Sequence, residues 1–164
     1  MTIKLGFVVH LWLGFPYPVI SHYFMSDVHS AEVRSYNMSR IRSKDTKPEM
    51  IVRKILFSNG FRFRLHRTDL PGKPDIVLPK YKTVVFVHGC FWHGHDGCKY
   101  FVVPKSRTEW WLNKINRNKV LDVINAGKLL EMGWKVIEIF ECGLKKGEVE
   151  KTGEWLVGEL RKGE

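Results

Sequence analysis

Apolar and polar residues follow two different periods after residue 47, and these periods predict helices interleaved with strands. A helix is expected to begin at Pro48, because proline fits the first helical turn, and to end at Gly60. Helical spacing of apolar residues recurs over two later segments, 108–132 and 148–160. Short apolar or alternating runs predict four strands, at 61–65, 75–78, 83–87 and 134–140.

This order of elements, a helix, three strands, a helix, a strand and a helix, predicts an α/β fold. The run at 83–87 is continuously apolar, which is typical of a strand buried on both faces of a sheet. With 164 residues, the chain is long enough for one domain with a sizeable core. We place this domain at residues 48–164.

Residues 1–24 differ from the rest of the chain in composition. They are apolar and aromatic, but Pro16 and Pro18 interrupt the run, which leaves fewer than the roughly 20 apolar residues that span a bilayer. No cleavage site of small residues follows, so a signal peptide is not indicated either. We expect translation to begin at Met25 and residues 1–24 to be a non-native upstream extension. Segment 25–47 is polar and basic, and it predicts an extended or partly helical arm that orders on its partner.

The charge balance indicates a polyanionic partner. The chain has 27 Lys and Arg against 17 Asp and Glu, a net charge of +10, and omitting residues 1–24 removes only Lys4 and leaves +9. Basic residues lie beside aromatic ones at 61–64, 99–100 and 107–111. Cations bind phosphates and flat rings stack on bases, so this pattern favours a nucleic acid. We therefore expect the basic segment 25–47 to be an N-terminal DNA-binding arm.

The segment 88–98 holds three of the seven histidines and two of the three cysteines. Thiolate and imidazole are the ligands of structural zinc, which takes four of them at tetrahedral angles. Glycines between the donors allow a tight ligand loop. Unligated buried cysteines are the alternative, whereas the odd count argues against a disulfide framework. We expect zinc to be held by a Cys3His set: Cys90, His95, Cys98 and Cys142.

A second cluster is expected where two strands end. Asp75 begins one predicted strand and His88 follows its neighbour, and zinc requires neither His88 nor His93. A carboxylate at a strand edge can bind Mg2+, and an imidazole nearby can remove a proton from water. This arrangement is typical of metal-dependent nucleases, although a carboxylate after a proline turn is often only part of a connection.

Four motifs occur in order: LPGKPD at 70–75, VHGCFWH at 87–93, the region 118–122 and FEC at 140–142. Together they resemble the very short patch repair (Vsr) endonucleases, and the similarity extends from Met25 to Leu160. The resemblance implies a restriction-endonuclease-like mixed sheet flanked by helices, with a structural zinc site. It also implies an enzyme that nicks one strand 5′ of the thymine in a T·G mispair and so begins repair.

The resemblance further implies the residues that bind catalytic Mg2+. Asp75 would be its direct ligand, together with the main-chain carbonyl of Val87. Glu49 would reach water molecules bound to the metal. The alternative for Glu49 is a structural role as an acid at a helix start.

Three other residues would act on the reacting groups. His93 would be the general base, and Asp122 would orient it. His88 would contact the scissile phosphate.

Phe91 and Trp92 would insert between base pairs beside the mismatch, since a mispaired step is easier to unstack.

The remaining tryptophans outside the extension are expected in the core: Trp110, Trp111, Trp134 and Trp155.

The expected partner is double-stranded DNA that contains a T·G mismatch, with mismatch-repair proteins as further partners. We expect a monomer in the cytoplasm, without membrane attachment. Two other functions fit part of the pattern. One is a non-catalytic zinc-containing DNA-binding module, and the other is a restriction or junction nuclease of the same fold.

Overall fold

A computed structural model describes residues 30–40, 42 and 44–162. The expected extension, residues 1–24, lies outside the described residues, as do residues 25–29 of the expected arm. Within the described arm, helix α1 spans Ala31–Ser39. Its N-cap is Ser30, whose hydroxyl accepts a hydrogen bond from the Val33 N–H. The expectation of a partly helical arm is therefore confirmed for this segment.

Helix α2 spans Lys47–Ser58 and begins with a capping box. The Thr46 hydroxyl accepts from the Glu49 N–H at 3.4 Å, and the Glu49 side chain accepts in return from the Thr46 N–H at 3.3 Å. Proline lies in the first turn, as expected, and Gly60 follows the helix with a φ of 84°.

The four strands form one mixed sheet in the order β1-β2-β3-β4: β1 Arg64–Leu65, β2 Ile76–Leu78, β3 Thr83–His88 and β4 Lys135–Phe140. The first two pairs are antiparallel, and β3 pairs with β4 in parallel. Strand β1 is shorter than the expected 61–65. Phe61 packs in the core and its N–H donates to the last turn of α2, so its backbone does not pair with β2.

Helix α3, Thr108–Glu131, connects the parallel strands β3 and β4. A parallel pair requires such a crossover, because a tight turn cannot return the chain to the same end of the sheet. Helix α4, Val149–Arg161, closes the fold. Both helices lie where the sequence predicts them, within a residue or two at each end.

The sheet is covered by hydrophobic clusters on its two faces. Because side chains alternate along a strand, Ile76 and Leu78 point to the cluster that contains α2 and α4 residues, whereas Val77 points to the cluster that contains Leu129 of α3. The predicted α/β class with a mixed sheet between helices is confirmed. In the part of the chain that the structure describes, no helix combines the length and the apolar character needed to cross a membrane.

Candidate active site

A cleft of about 920 Å3 opens at the end of the sheet where β2 begins and β3 ends. Its wall contains all the side chains for which the sequence predicts a catalytic or Mg2+-binding role: Glu49, Asp75, His88, His93 and Asp122, with the backbone of Val87. Exposed cations lie along the same cleft: Arg42, Lys44, Lys47 and Lys73. The fold thus brings acids, imidazoles and cationic side chains to one opening.

Asp75 immediately precedes β2 and is held by the neighbouring strand. Its Oδ2 accepts a hydrogen bond from the Val87 N–H at 2.8 Å, and its side chain is 20% exposed. Burial raises the pKa of the Asp75 carboxyl, the negative charge of Glu49 adds to this rise, and the Val87 hydrogen bond opposes it. A buried acid beside another acid is suited to bind a cation, which offsets both effects.

His93 and Asp122 form a hydrogen-bonded pair. The His93 Nδ1–H donates to Asp122 Oδ2 at 2.6 Å, with the two side chains 26% and 27% exposed. An ionised carboxylate only accepts hydrogen bonds, so Nδ1 carries the proton and Nε2 keeps a lone pair. This pair has the arrangement of an oriented general base.

His88 ends β3 and is almost completely buried. Its ring centroid lies 3.8 Å from that of His93, and the ring packs between Phe86 and Phe140. Among the described residues, no atom forms a hydrogen bond with the buried Nε2, and Glu138 Oε1 is 3.9 Å away. An unpaired buried nitrogen is costly, so a ligand that pairs with it would bind favourably.

Glu49 is only 3% exposed, and protein donors bind both of its oxygens. Oε1 accepts from Thr46, and Oε2 accepts from the Asp45 N–H and from Arg53 Nη2. The capping role that the sequence allowed as the alternative is therefore present. The expected contact of Glu49 with water on a metal stays a prediction.

The sequence reasoning missed His66, whose side chain also lines the cleft. Its Nδ1 lies 3.9 Å from Asp75 Oδ1, and its backbone N–H donates to the Asp75 carbonyl at 3.3 Å. The register of β1 against β2 produces this proximity, since Leu65 pairs with Ile76. No local motif marks His66. Only knowledge of the strand register could have identified it.

The four expected zinc ligands come together although Cys142 is 44 residues away from Cys98 in the chain. Their ligand atoms lie within 4.8 Å of one another, and the His95 Nδ1 is 3.3 Å from the Cys142 sulfur. Gly94 has a φ of 56°, and a Cβ there would lie 2.7 Å from Ile115 Cγ2, so a larger residue would displace the ligand loop.

The chemistry of this cluster fits a zinc ion. Burial raises the pKa of the Cys90 thiol to about 12, and the neighbouring Cys98 and Cys142 also raise it. Burial raises the pKa of the Cys142 thiol as well. The Cys90 and Cys142 thiols are therefore difficult to ionise without a cation, and a thiophilic dication would stabilise their thiolates. The donor set, three sulfurs and one imidazole, is one that tetrahedral zinc accepts.

Phe91 and Trp92 belong to a cluster of aromatic rings at the start of α3. Their ring centroids are 5.2 Å apart, and Trp111 lies 5.3 Å from Phe91 and 5.9 Å from Trp92. The Lys114 ammonium lies about 5 Å over the Trp92 ring, and the Asn118 amide donates to the Trp92 carbonyl at 2.9 Å. These contacts hold Trp92 at the edge of the cleft.

The expectation that the other four tryptophans are core residues is correct only in part. Trp111 is buried at 8% exposure, and Trp134 packs against the smaller core cluster. Trp110 is 51% exposed and Trp155 is 49% exposed, so the core assignment is wrong for these two. Helical position decides the outcome, because Trp110 and Trp111 differ by about 100° around α3 and only one can face inward.

Comparisons with known proteins agree on one family. The model of the DNA mismatch endonuclease Vsr family matches residues 26–99. A type II nicking enzyme of Neisseria meningitidis is 52% identical over 74% of this chain and 86% of its own length. A similar enzyme of Xanthomonas oryzae is 51% identical over 73% of this chain and 88% of its own. The DNA mismatch endonuclease Vsr of Escherichia coli is 42% identical over 82% and 90%, respectively.

Proposed function

The chain belongs to the Vsr family of DNA mismatch endonucleases and is a DNA-nicking hydrolase; from this premise we propose that it cuts one strand 5′ of the thymine in a T·G mispair, with Mg2+ as cofactor. One observation carries the proposal. The hydrogen-bonded pair of His93 and Asp122 lies in the same cleft as a carboxylate suited to a cation, Asp75. A base and a metal-binding acid are two groups that metal-assisted hydrolysis of a phosphodiester uses.

In this proposal, the Asp75 carboxylate and the Val87 carbonyl bind Mg2+. When bound, Mg2+ would polarise the scissile phosphate and lower the pKa of an attacking water. Oxygen donors suit this ion, which binds through few protein ligands and keeps several waters. Glu49 adds a second carboxylate to the wall of the same cleft.

The imidazoles have separate parts in the reaction. His93 takes a proton from water through Nε2, and Asp122 stabilises the imidazolium through the hydrogen bond to Nδ1. His88 donates from its unpaired Nε2 to an oxygen of the scissile phosphate. The two rings, whose centroids are 3.8 Å apart, thus keep the proton acceptor and the phosphate contact side by side.

The Cys3His cluster would hold zinc in a structural role. Cys90, His95 and Cys98 belong to the loop that carries His93, whereas Cys142 follows β4. Zinc would therefore bind this loop to the sheet and keep His93 and Trp92 at the cleft. This role requires no open coordination position, in agreement with four protein ligands.

The proposed function is tested by incubating the protein with four substrates in Mg2+: a matched duplex, a T·G duplex, single-stranded DNA and a four-way junction. We expect one nick, 5′ of the mispaired thymine, and only after Mg2+ is added. Cleavage of all duplexes alike, or of the junction alone, would instead identify a nuclease with another target. Binding without cleavage under all conditions would favour the DNA-binding module.

Replacing Cys142 by serine is expected to lower both zinc content and thermal stability, because binding energy at a structural metal site contributes to folding. Each kcal/mol lost would lower the melting temperature by roughly 2–4 °C in a chain of this size. Elemental analysis and calorimetry measure the two effects. Cys98→Ser should give the same pair of losses. Full zinc content in Cys142→Ser would show that another residue is the fourth ligand.

Replacing Phe91 and Trp92 together by alanine is expected to reduce affinity and cleavage more than tenfold on T·G DNA, and less on matched DNA. Stacking of a ring on a base contributes roughly 1–3 kcal/mol, and a mispaired step opens more easily. The salt dependence of binding should change little, since phosphate contacts determine it. Titrations of both duplexes at several salt concentrations measure these effects.

The matched control is Phe57→Ala, which removes an aromatic ring of α2 that is 64% exposed. It should leave discrimination unchanged. Equal losses of the double variant on the two duplexes would move mismatch discrimination away from Phe91 and Trp92.

A further inference from the structure

We propose that His66 is a positioning residue for Asp75, with its Nδ1–H turned toward that carboxylate by the guanidinium of Arg53. The inference rests on the proposed function, in which Asp75 binds the catalytic cation. It adds a residue that none of the sequence motifs contains. Its basis is a continuous row of side chains that runs from α2, through the ring of His66, to the cleft.

Arg53 is the fixed end of this row. It is 8% exposed, and its Nη1 and Nη2 donate to Asp45 at 2.6 Å and to Glu49 at 2.8 Å. Two carboxylates therefore determine the plane of the guanidinium. From this position Nη2 also lies 2.9 Å from His66 Nε2, at hydrogen-bonding distance.

The Arg53 contact determines the tautomer of His66. A guanidinium has only donors, so at 2.9 Å His66 Nε2 must act as the acceptor and carry no proton. In the neutral ring the proton is then on Nδ1. This is the nitrogen that faces Asp75 Oδ1, at 3.9 Å. The contact is electrostatic rather than a direct hydrogen bond, with the positive end of the N–H dipole toward the carboxylate.

The two oxygens of Asp75 consequently face donors on different elements. Oδ2 accepts from the Val87 N–H on β3, and Oδ1 faces His66 after β1. A carboxylate with a fixed rotation presents its remaining lone pairs to the cleft in one direction. A preorganised ligand binds a cation more tightly, because less conformational freedom is lost on binding.

The backbone supports the position of the ring. His66 has a φ of 46°, in the left-handed region that few residues other than glycine adopt. Its N–H bond to the Asp75 carbonyl ties the two residues together across the hairpin. Such backbone conformations persist where the surrounding structure holds them, and they are concentrated at functional sites.

A metal role for His66 itself is disfavoured by the same contacts. The donor atoms of Asp45, Glu49 and His66 lie within 4.8 Å of one another, which alone would suit a cation. The Arg53 guanidinium already binds all three side chains. It therefore supplies the positive charge that a metal ion would otherwise bring to this cluster. Nor can His66 Nδ1 ligate a metal beside Asp75 while it carries the proton.

The test compares His66→Gln with His66→Leu. Glutamine offers an acceptor to Arg53 and a donor to Asp75, whereas leucine has similar size and neither. We expect leucine to weaken Mg2+ binding by roughly tenfold or more, the usual effect of losing a residue that orients a metal ligand, and glutamine to restore it to within about threefold. Calorimetric titration of the zinc-loaded protein with Mg2+ measures binding without reference to cleavage.

Nicking assays should show the matching pattern. At saturating DNA, the leucine variant should require about tenfold more Mg2+ for half-maximal rate and recover most of the rate at high Mg2+. A merely structural role would instead lower the rate at every Mg2+ concentration. Unchanged Mg2+ affinity in His66→Leu would overturn the proposal for His66 and leave the proposed function intact. Absence of Mg2+ binding in the unmodified protein would overturn the cofactor proposal itself.

Nitrogen-15 NMR of the unmodified protein supplies a measurement that needs no variant. Long-range couplings in the imidazole ring distinguish a proton on Nδ1 from a proton on Nε2. We expect neutral His66 to show the Nδ1–H form. A proton on Nε2 would overturn the proposal even if the leucine variant fails to fold, because it is incompatible with the Arg53 contact.

Discussion

Replacing Asp75 by asparagine is expected to lower the rate of strand nicking by roughly a thousandfold or more while the protein stays folded. Metal polarisation of a phosphate contributes several kcal/mol, and each 1.4 kcal/mol corresponds to about a factor of ten. In the unmodified protein the Val87 N–H donates to Asp75 Oδ2 at 2.8 Å, and the carbonyl oxygen of asparagine can accept the same hydrogen bond. Asparagine lacks the negative charge that binds Mg2+. Single-turnover assays on T·G duplexes measure the effect.

The matched control is Asp69→Asn, which neutralises an exposed carboxylate paired with Arg67 outside the cleft. Its nicking rate should stay within about twofold, because an exposed ion pair contributes little. Asp75→Asn should bind DNA at least as tightly as the unmodified protein, since removal of a negative charge near phosphate reduces repulsion. A rate close to normal in Asp75→Asn would assign the metal to another ligand.

Replacing His93 by alanine is expected to lower the chemical step by roughly 10²–10⁴-fold, the usual contribution of a general base. Affinity for T·G DNA should change much less, because phosphate contacts and stacking supply most of it. Equilibrium binding and single-turnover rates on the same duplex separate the two effects. A rate that falls only through weaker binding would make His93 a contact residue.

Asp122→Asn tests the partner of His93. The carboxylate accepts the Nδ1–H at 2.6 Å, and an amide could present its NH2 group there and favour the opposite tautomer. We expect a smaller loss than in His93→Ala and no added loss when both residues are changed, since the pair acts as a unit. Glu131→Gln, at the exposed end of α3, is the control and should be silent. If Asp122→Asn is silent too, Asp122 is only a surface acid of α3.

The elements with local signals could be predicted from the sequence. The start of α2 follows from Pro48 and from the reciprocal bonds of Thr46 and Glu49, all within one turn of chain. Strand β3 follows from a continuous apolar run, and β4 follows from a mostly apolar run after Gly133. Three of the four expected zinc donors lie within nine residues, and the chain offers only one further cysteine, Cys142.

The sequence predicts those residues of the candidate site that belong to recognisable motifs. Asp75, His88 and His93 belong to motifs that resemble one family, and the fold brings them to one cleft. The same motifs imply their proposed roles, which the experiments above test. The sequence does not distinguish the two roles expected for Glu49, because an acid in the first turn of a helix fits both a capping role and a role in the cleft.

Other features depended on the tertiary structure. The exposure of Trp110 and the burial of Trp111 follow from the orientation of α3 on the sheet. His88 Nε2 is buried without a hydrogen-bond partner among the described residues, in a ring that packs against Phe86 of β3 and Phe140 of β4. The contact of His66 with Asp75 depends on the register of a two-residue strand.

The sequence by itself determined the order of helices and strands, the basic charge and the identity of the donor groups. These depend on interactions between residues that are close in the chain, such as caps, turns and periodic apolar faces. Only the tertiary structure decided which distant side chains meet, as Cys142 meets His95 and Arg53 meets His66. Such contacts arise from strand register and helix orientation. The packing of the whole core selects both, so no short segment of the sequence contains that information.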